Sequence, residues 1–130
     1  MIKKEMLLVD DDREFADEFL EYIEVSGISA YYAENAEKAR NTFGDLPDIS
    51  VVLMDYNMKG GGNTFLLTQE FLAARKIVVI AISNSKEGRE KLAEAGCAYQ
   101  CSKEKFFQLG ELIEKIFAER EAELEKSLNT

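Results

Sequence analysis

Asp10, Asp11 and Asp55 are the residues whose types and placement carry the most chemistry in this chain. Asp10 and Asp11 follow directly on the apolar run 6–9 (Met-Leu-Leu-Val), and Asp55 ends the run 49–54 (Ile-Ser-Val-Val-Leu-Met). Three carboxylates brought close repel one another unless a hard cation sits among them, and an all-oxygen donor set suits Mg²⁺. Ser83 adds a hydroxyl at the end of the run 77–82, and Lys103 adds a mobile positive charge just past 97–101. A nucleophilic carboxylate, a seat for a cation, a lysine and an orienting hydroxyl are the parts that phosphoryl transfer needs. Asp55 is the candidate nucleophile.

These residues are far apart in sequence, so the fold must gather them. The runs 6–9, 49–54 and 77–82 read as strands buried on both faces. Residues 28–33 read as an edge-like strand and 97–101 as a weak fifth. Helical patterns lie between them. The first spans 13–26, with Phe15, Phe19, Leu20, Ile23 and Val25 as its apolar stripe and Gly27 as its left-handed stop. Asn35 caps a second, which carries Ala36, Ala39 and Phe43 and ends at Gly44. Asn63 caps a third with Phe65, Leu66, Leu67, Phe71 and Leu72. A fourth covers 86–94 and stops at Gly96. The last covers 105–127 and packs through Phe106, Leu109, Leu112, Ile113, Ile116 and Phe117. Strand and helix alternate five times with short connections. This predicts an α/β fold, a doubly wound five-stranded parallel sheet covered on both faces, in a single domain over 1–130. In a parallel sheet all carboxyl ends face one edge, where open α/β sheets place their ligands.

Composition narrows the function classes. The 46% hydrophobic and 10% aromatic fractions argue against disorder. A net charge of -9, from 16 basic and 25 acidic side chains, disfavours nucleic acid and anionic membrane as partners and suits a divalent cation or a basic protein surface. No apolar run approaches a bilayer-spanning length, and the start Met-Ile-Lys-Lys-Glu lacks a signal-peptide layout, so cytoplasmic residence is expected. On a strand, Cys97 and Cys101 would lie about 13 Å apart, beyond disulfide reach. The chain has no histidine, so zinc is not expected, and both cysteines read as small core residues. Asp12 reads as a helix cap and not a ligand. Gly60, Gly61 and Gly62 lack the Gly-Lys-Ser/Thr of a nucleotide loop and read as a mobile turn beside Asp55. Ser83 could instead cap the helix that follows it. The Glu-rich stretch 119–125 reads as a solvated helix end, with Leu124 and Leu128 past the core face.

Four segments in order resemble the response-regulator receiver domain. Residues 7–12 (Leu-Leu-Val-Asp-Asp-Asp) resemble the acidic end of its first strand. Residues 47–49 and 53–58, through Leu-Met-Asp-Tyr-Asn-Met, resemble its phosphoacceptor segment. Residues 78–83 (Val-Val-Ile-Ala-Ile-Ser) resemble its switch-hydroxyl strand, and Ala95-Gly96-Cys97, six residues before Lys103, resembles the approach to its lysine. The resemblance implies a flavodoxin-like sheet of order 2-1-3-4-5. It implies that Asp55 accepts a phosphoryl group from a phosphohistidine on a sensor histidine kinase or phosphotransfer protein. Asp10, Asp11, Asp55 and the backbone carbonyl of Asn57 would hold Mg²⁺, Ser83 would hydrogen-bond the phosphoryl oxygens, and Lys103 would pair with them. Output would come from altered binding to a downstream protein, because too little chain follows Lys103 for a separate output domain.

Three positions depart from the family pattern. Lys59 and Glu104 stand where prolines are usual, and Gln100 stands where an aromatic rotamer switch is usual; Tyr99 beside it should face the other way on a strand. A cis bond before Glu104 would cost about 2.5–4 kcal/mol, so the Lys103 loop is expected to differ. Phosphorylation chemistry is expected to survive while signal propagation changes. The alternative is a phosphorylation-independent interaction module of the same fold. A phosphohydrolase would want a second acid two residues after the nucleophile, where this chain has Asn57. No enzymatic turnover is therefore expected beyond Mg²⁺-dependent self-phosphorylation and autodephosphorylation. A flavin phosphate would be repelled by the pocket carboxylates.

Overall fold

In the computed structural model, which describes residues 2–60 and 62–129, strands and helices alternate along the chain. The elements are β1 (Glu5–Val9), α1 (Arg13–Glu24), β2 (Ser29–Ala33), α2 (Ala36–Asp45), β3 (Ile49–Met54), α3 (Thr64–Ala74), β4 (Val78–Ala81), α4 (Lys86–Ala95), β5 (Tyr99–Gln100) and α5 (Phe106–Leu128). All paired strands are parallel, in the order β2-β1-β3-β4-β5. This is the flavodoxin-like arrangement that the motifs imply.

The central strands are near-continuous apolar runs because helices cover both of their faces. Side chains alternate across the sheet. Met6, Leu8, Val51, Leu53, Ile80 and Ile82 meet α1 and α5 on one side. Leu7, Val9, Val52, Met54, Val79 and Ala81 meet α2, α3 and α4 on the other. Phe19 of α1 and Phe117 of α5 are among the largest fully buried side chains, and Phe106 packs edge-on to Phe19 at 5.0 Å between ring centres. Opposite, Phe43 of α2 stacks on Phe71 of α3 at 4.0 Å.

The expected caps are in place. Asp12, Asn35 and Asn63 each accept a backbone N–H from the first turn of their helix, at 3.1, 2.9 and 3.1 Å. Gly27 adopts φ 81° and stops α1. Helix α1 is shorter than the pattern predicts. It ends at Glu24, and Val25 is 88% exposed, so Val25 leaves the apolar stripe. Leu66 likewise faces outward at 52% exposure, because α3 buries Thr64, Leu67, Thr68 and Phe71 instead. Strand β5 shrinks from the expected 97–101 to Tyr99–Gln100. Cys97 is drawn into the end of α4, its N–H donating to Leu92 O at 3.1 Å after Gly96 turns at φ 120°. Cys97 is buried and Cys101 half-buried, and both are free thiols. Tyr99 packs on the α1/α5 side while Gln100 is exposed. Gly60 and Gly62 hold positive φ of 63° and 99°; Gly61 of the same turn lies outside the described residues. Leu124 and Leu128 lie exposed past the core face of α5. Among the described residues no helix is long and apolar enough to cross a membrane.

Candidate functional site

The sheet ladder runs one residue beyond the strands and so fixes the acidic cluster. Asp10 N–H donates to Ala33 O at 3.1 Å, Asp55 N–H to Val9 O at 3.0 Å, and Ile82 N–H to Met54 O at 3.0 Å. Asp10 and Asp55 therefore leave neighbouring central strands side by side. Asp10, Asp11 and Asp55 each present a carboxylate oxygen, and these oxygens all lie within 4.8 Å of one another. Asp10 is 0% exposed and Asp55 3%, so both carboxylates are largely withdrawn from bulk solvent.

The electrostatic strain shows in the acidities. Burial, and then the charge of Asp10, push the Asp55 carboxyl up to about 7, although Lys103 pulls the other way. Burial also raises Asp10, opposed by the Asp12 N–H and by Lys103. Lys103 is the counter-charge on hand. Its Nζ lies 3.1 Å from Asp10 Oδ2, 3.7 Å from Asp12 Oδ2 and 4.0 Å from Asp55 Oδ2. Burial depresses the Lys103 pKa, but Asp10 and Asp55 outweigh it and leave that pKa raised. The ammonium also rests over the Phe15 ring at 5.3 Å.

Ser83 is buried at the end of β4 and lines the same cleft of about 390 Å³ as Asp11, Asp12, Asp55, Asn57, Lys59 and Lys103. It does not cap α4; Ser85 does, accepting from Gly88 N–H at 3.1 Å. The Ser83 hydroxyl accepts from Asn57 Nδ2 at 3.4 Å and from Ser85 N–H at 3.2 Å. The structure thus brings Asp10, Asp11, Asp55, Asn57, Ser83 and Lys103 to one rim. Asp12 serves as the expected cap and also approaches Lys103.

Several contributors are not visible in the motifs. Lys59 N–H donates to Asp11 Oδ2 at 2.8 Å and orients that carboxylate. Among the described residues no peptide bond is cis, so the Lys103–Glu104 bond is trans. The loop is held instead by Asn84, whose Oδ1 accepts from Ser102 Oγ at 2.8 Å and Glu104 N–H at 3.3 Å. Arg89 Nη1 donates to Ser83 O at 2.7 Å. A polar residue directly after a strand-end serine is a signal that could have pointed to Asn84; nothing local marks Arg89.

The oxygen-only donor set, its 4.8 Å compactness and a negative charge that Lys103 only partly balances fit a small hard divalent cation such as Mg²⁺. A carboxylate in such a place can act as a nucleophile once its charge is balanced.

No protein-family model matches the chain, and no curated protein matches it either. Solved structures do match. A CheY-like response regulator receiver domain protein from Methanospirillum hungatei aligns over 95% of this chain and 99% of its own, at 21% identity and a TM-score of 0.81. The receiver domain of the Francisella response regulator 1452 aligns over 91% and 99%, at 18% identity and 0.76. The response regulator TrrA from Thermotoga maritima, solved in complex with Mg(2+)-BeF, aligns over 86% and 97%, at 24% identity and 0.76. At these identities the likeness is one of fold, and by fold this chain has the architecture of a response-regulator receiver domain over most of its length.

Proposed function

We propose that this protein is a phosphoacceptor switch of a two-component signalling system. The observation that carries the reading is the compact Asp10–Asp11–Asp55 cluster with Lys103 reaching over it. The receiver fold and the Mg(2+)-BeF complex of the TrrA neighbour support it. In this reading an Asp55 carboxylate oxygen attacks the phosphorus of a phosphohistidine on a sensor histidine kinase or phosphotransfer protein. The new O–P bond forms as the P–N bond breaks, and the imidazole leaves. Bound Mg²⁺, held by Asp10, Asp11, Asp55 and the Asn57 carbonyl, would balance the carboxylates and polarise the phosphoryl oxygens. Lys103 moves from the carboxylates to a phosphoryl oxygen, and the Ser83 hydroxyl donates to another. The buried position of Asp55 keeps bulk water from the acyl phosphate. The chain turns over no separate substrate; self-phosphorylation and autodephosphorylation are its only chemistry. It works in the cytoplasm, away from nucleic acid and membrane, and signals through altered binding to a downstream protein.

Incubation with Mg²⁺ and acetyl phosphate tests the chemistry. Asp55 gains one phosphoryl mass, and Asp55→Ala gains none. A gain that persists in the variant, or its absence in the wild type, overturns the reading. The exposed polar Gln100 favours a second reading, a phosphorylation-independent interaction module. That reading fails if phosphorylation changes partner affinity.

A further inference from the structure

We propose that Arg89 is a positioning residue for Ser83, fastening the opening turns of α4 to the site so that α4 responds when the site is filled. The inference rests on the phosphoacceptor reading and names how that site is coupled to one surface of the fold.

Ser83 is gripped at both of its polar ends. Its hydroxyl accepts from Ser85 N–H, the cap of α4, at 3.2 Å, and from Asn57 Nδ2 at 3.4 Å. Its carbonyl accepts from Arg89 Nη1 at 2.7 Å. Among the described residues Arg89 forms no ion pair, so its charged donor is spent on one neutral, part-buried carbonyl. A solvated arginine keeps its rotamer freedom; holding one at a part-buried carbonyl gives that freedom up and implies a definite seat. Gly88 completes the seat. A Cβ there would stand 2.8 Å from Ser83 Oγ and 3.0 Å from Tyr56 Cβ, so no larger residue lets α4 rest directly on Ser83. The rest of α4 is lightly anchored, since Gly88, Leu92 and Ala95 are its buried residues.

A phosphoryl oxygen that takes the Ser83 hydroxyl as a donor draws Ser83 toward the filled site. The displacement of Ser83 is then carried by its carbonyl to Arg89 and along α4. Without the guanidinium Ser83 can still move, but α4 is held to it only through the Ser85 N–H bond.

Amide NMR of the full chain with Mg²⁺ and beryllofluoride tests this. In the wild type, resonances around Asp55 and those of residues 85–95 both shift. In Arg89→Ala the Asp55 shifts persist and those along α4 fall by more than half; Arg89→Lys, which keeps a cationic donor, restores them. Phosphorylation of Arg89→Ala by acetyl phosphate slows about tenfold, the worth of one charge-assisted hydrogen bond. Should Arg89→Ala fold poorly, Arg89→Met, which keeps an apolar stem and has no hydrogen-bond donor, gives the same comparison. Undiminished α4 shifts in both neutral variants, or a wild type whose α4 does not shift, overturn the coupling alone. A wild type that does not take up beryllofluoride with Mg²⁺ overturns the phosphoacceptor reading and the coupling together.

Discussion

Asp55 carries its own assay at the scale of a single residue. Its carboxyl is raised from the ordinary 3.8 to about 7, first by burial and then by Asp10. Between about pH 4 and pH 7 the unfolded chain has released this proton and the folded chain has not, so stability falls as pH rises. Asp10 is raised too and acts in the same direction. The raised Lys103 contributes stability that is lost only above pH 10.5, outside this window. Metal-free thermal melts in chelator should therefore decline across this range. Asp55→Asn should flatten the decline and stabilise the protein at pH 8 by on the order of 2 kcal/mol. Lys103→Ala should do the opposite at pH 8. It leaves Asp10 and Asp55 without their nearest cation, lowers the melting temperature, and slows acetyl-phosphate labelling by at least about tenfold. Asp10, Asp11, Asp55, Ser83 and Lys103 were legible beforehand because parallel strands deliver their ends to one edge. The partner of Lys103 was not, because its bond to Asp10 joins positions 93 residues apart and no local pattern records where a long side chain comes to rest.

Loops and caps decide the outcome at the scale of the element. The connection after β5 keeps Lys103 in place without proline because Asn84 accepts from both Ser102 and Glu104. Asn84→Ala should destabilise by about 1–2 kcal/mol, and hydrogen exchange should show faster opening of 102–105 than of α1. Gly62 combines φ 99° with a 2.7 Å approach of any added Cβ to Ala36 Cβ. Gly62→Ala should cost about 1–3 kcal/mol in denaturant melts, and Gly60→Ala, with open space around its Cβ, should cost less. Caps at Asp12, Asn35 and Asn63 were readable because a short polar side chain before an apolar-periodic stretch has a mechanism. Val25 was misread because an apolar residue at a helix end gives periodicity no phase to choose by. The fifth strand was overdrawn for a similar reason: apolar residues at 97–101 fit a strand equally well whether two residues or five enter the ladder.

The whole molecule is an acidic body with an acidic rim, and the rim opposes its own folding. Mg²⁺ at pH 8 should raise the melting temperature, its stabilisation growing logarithmically with concentration to about 2.7 kcal/mol at a hundredfold excess over its dissociation constant, and NaCl at equal ionic strength should do so less. Asp55→Asn should weaken that response. Fold class, strand order and the shared edge could all be derived or matched from sequence, since five apolar runs alternating with five amphipathic ones leave few topologies. The contact of Arg89 with Ser83 O, on which the proposed coupling to α4 rests, could not, because it forms only after packing. Lys103 has a last consequence. A cation belonging to the chain already sits against the carboxylates that a dissolved ion would claim, so the affinity for that ion would be a difference between rival attractions. A phosphoryl oxygen gives the ammonium another place to go. In the proposed switch, metal loading and modification of Asp55 therefore favour each other reciprocally, and each can be weak alone while the pair is firm.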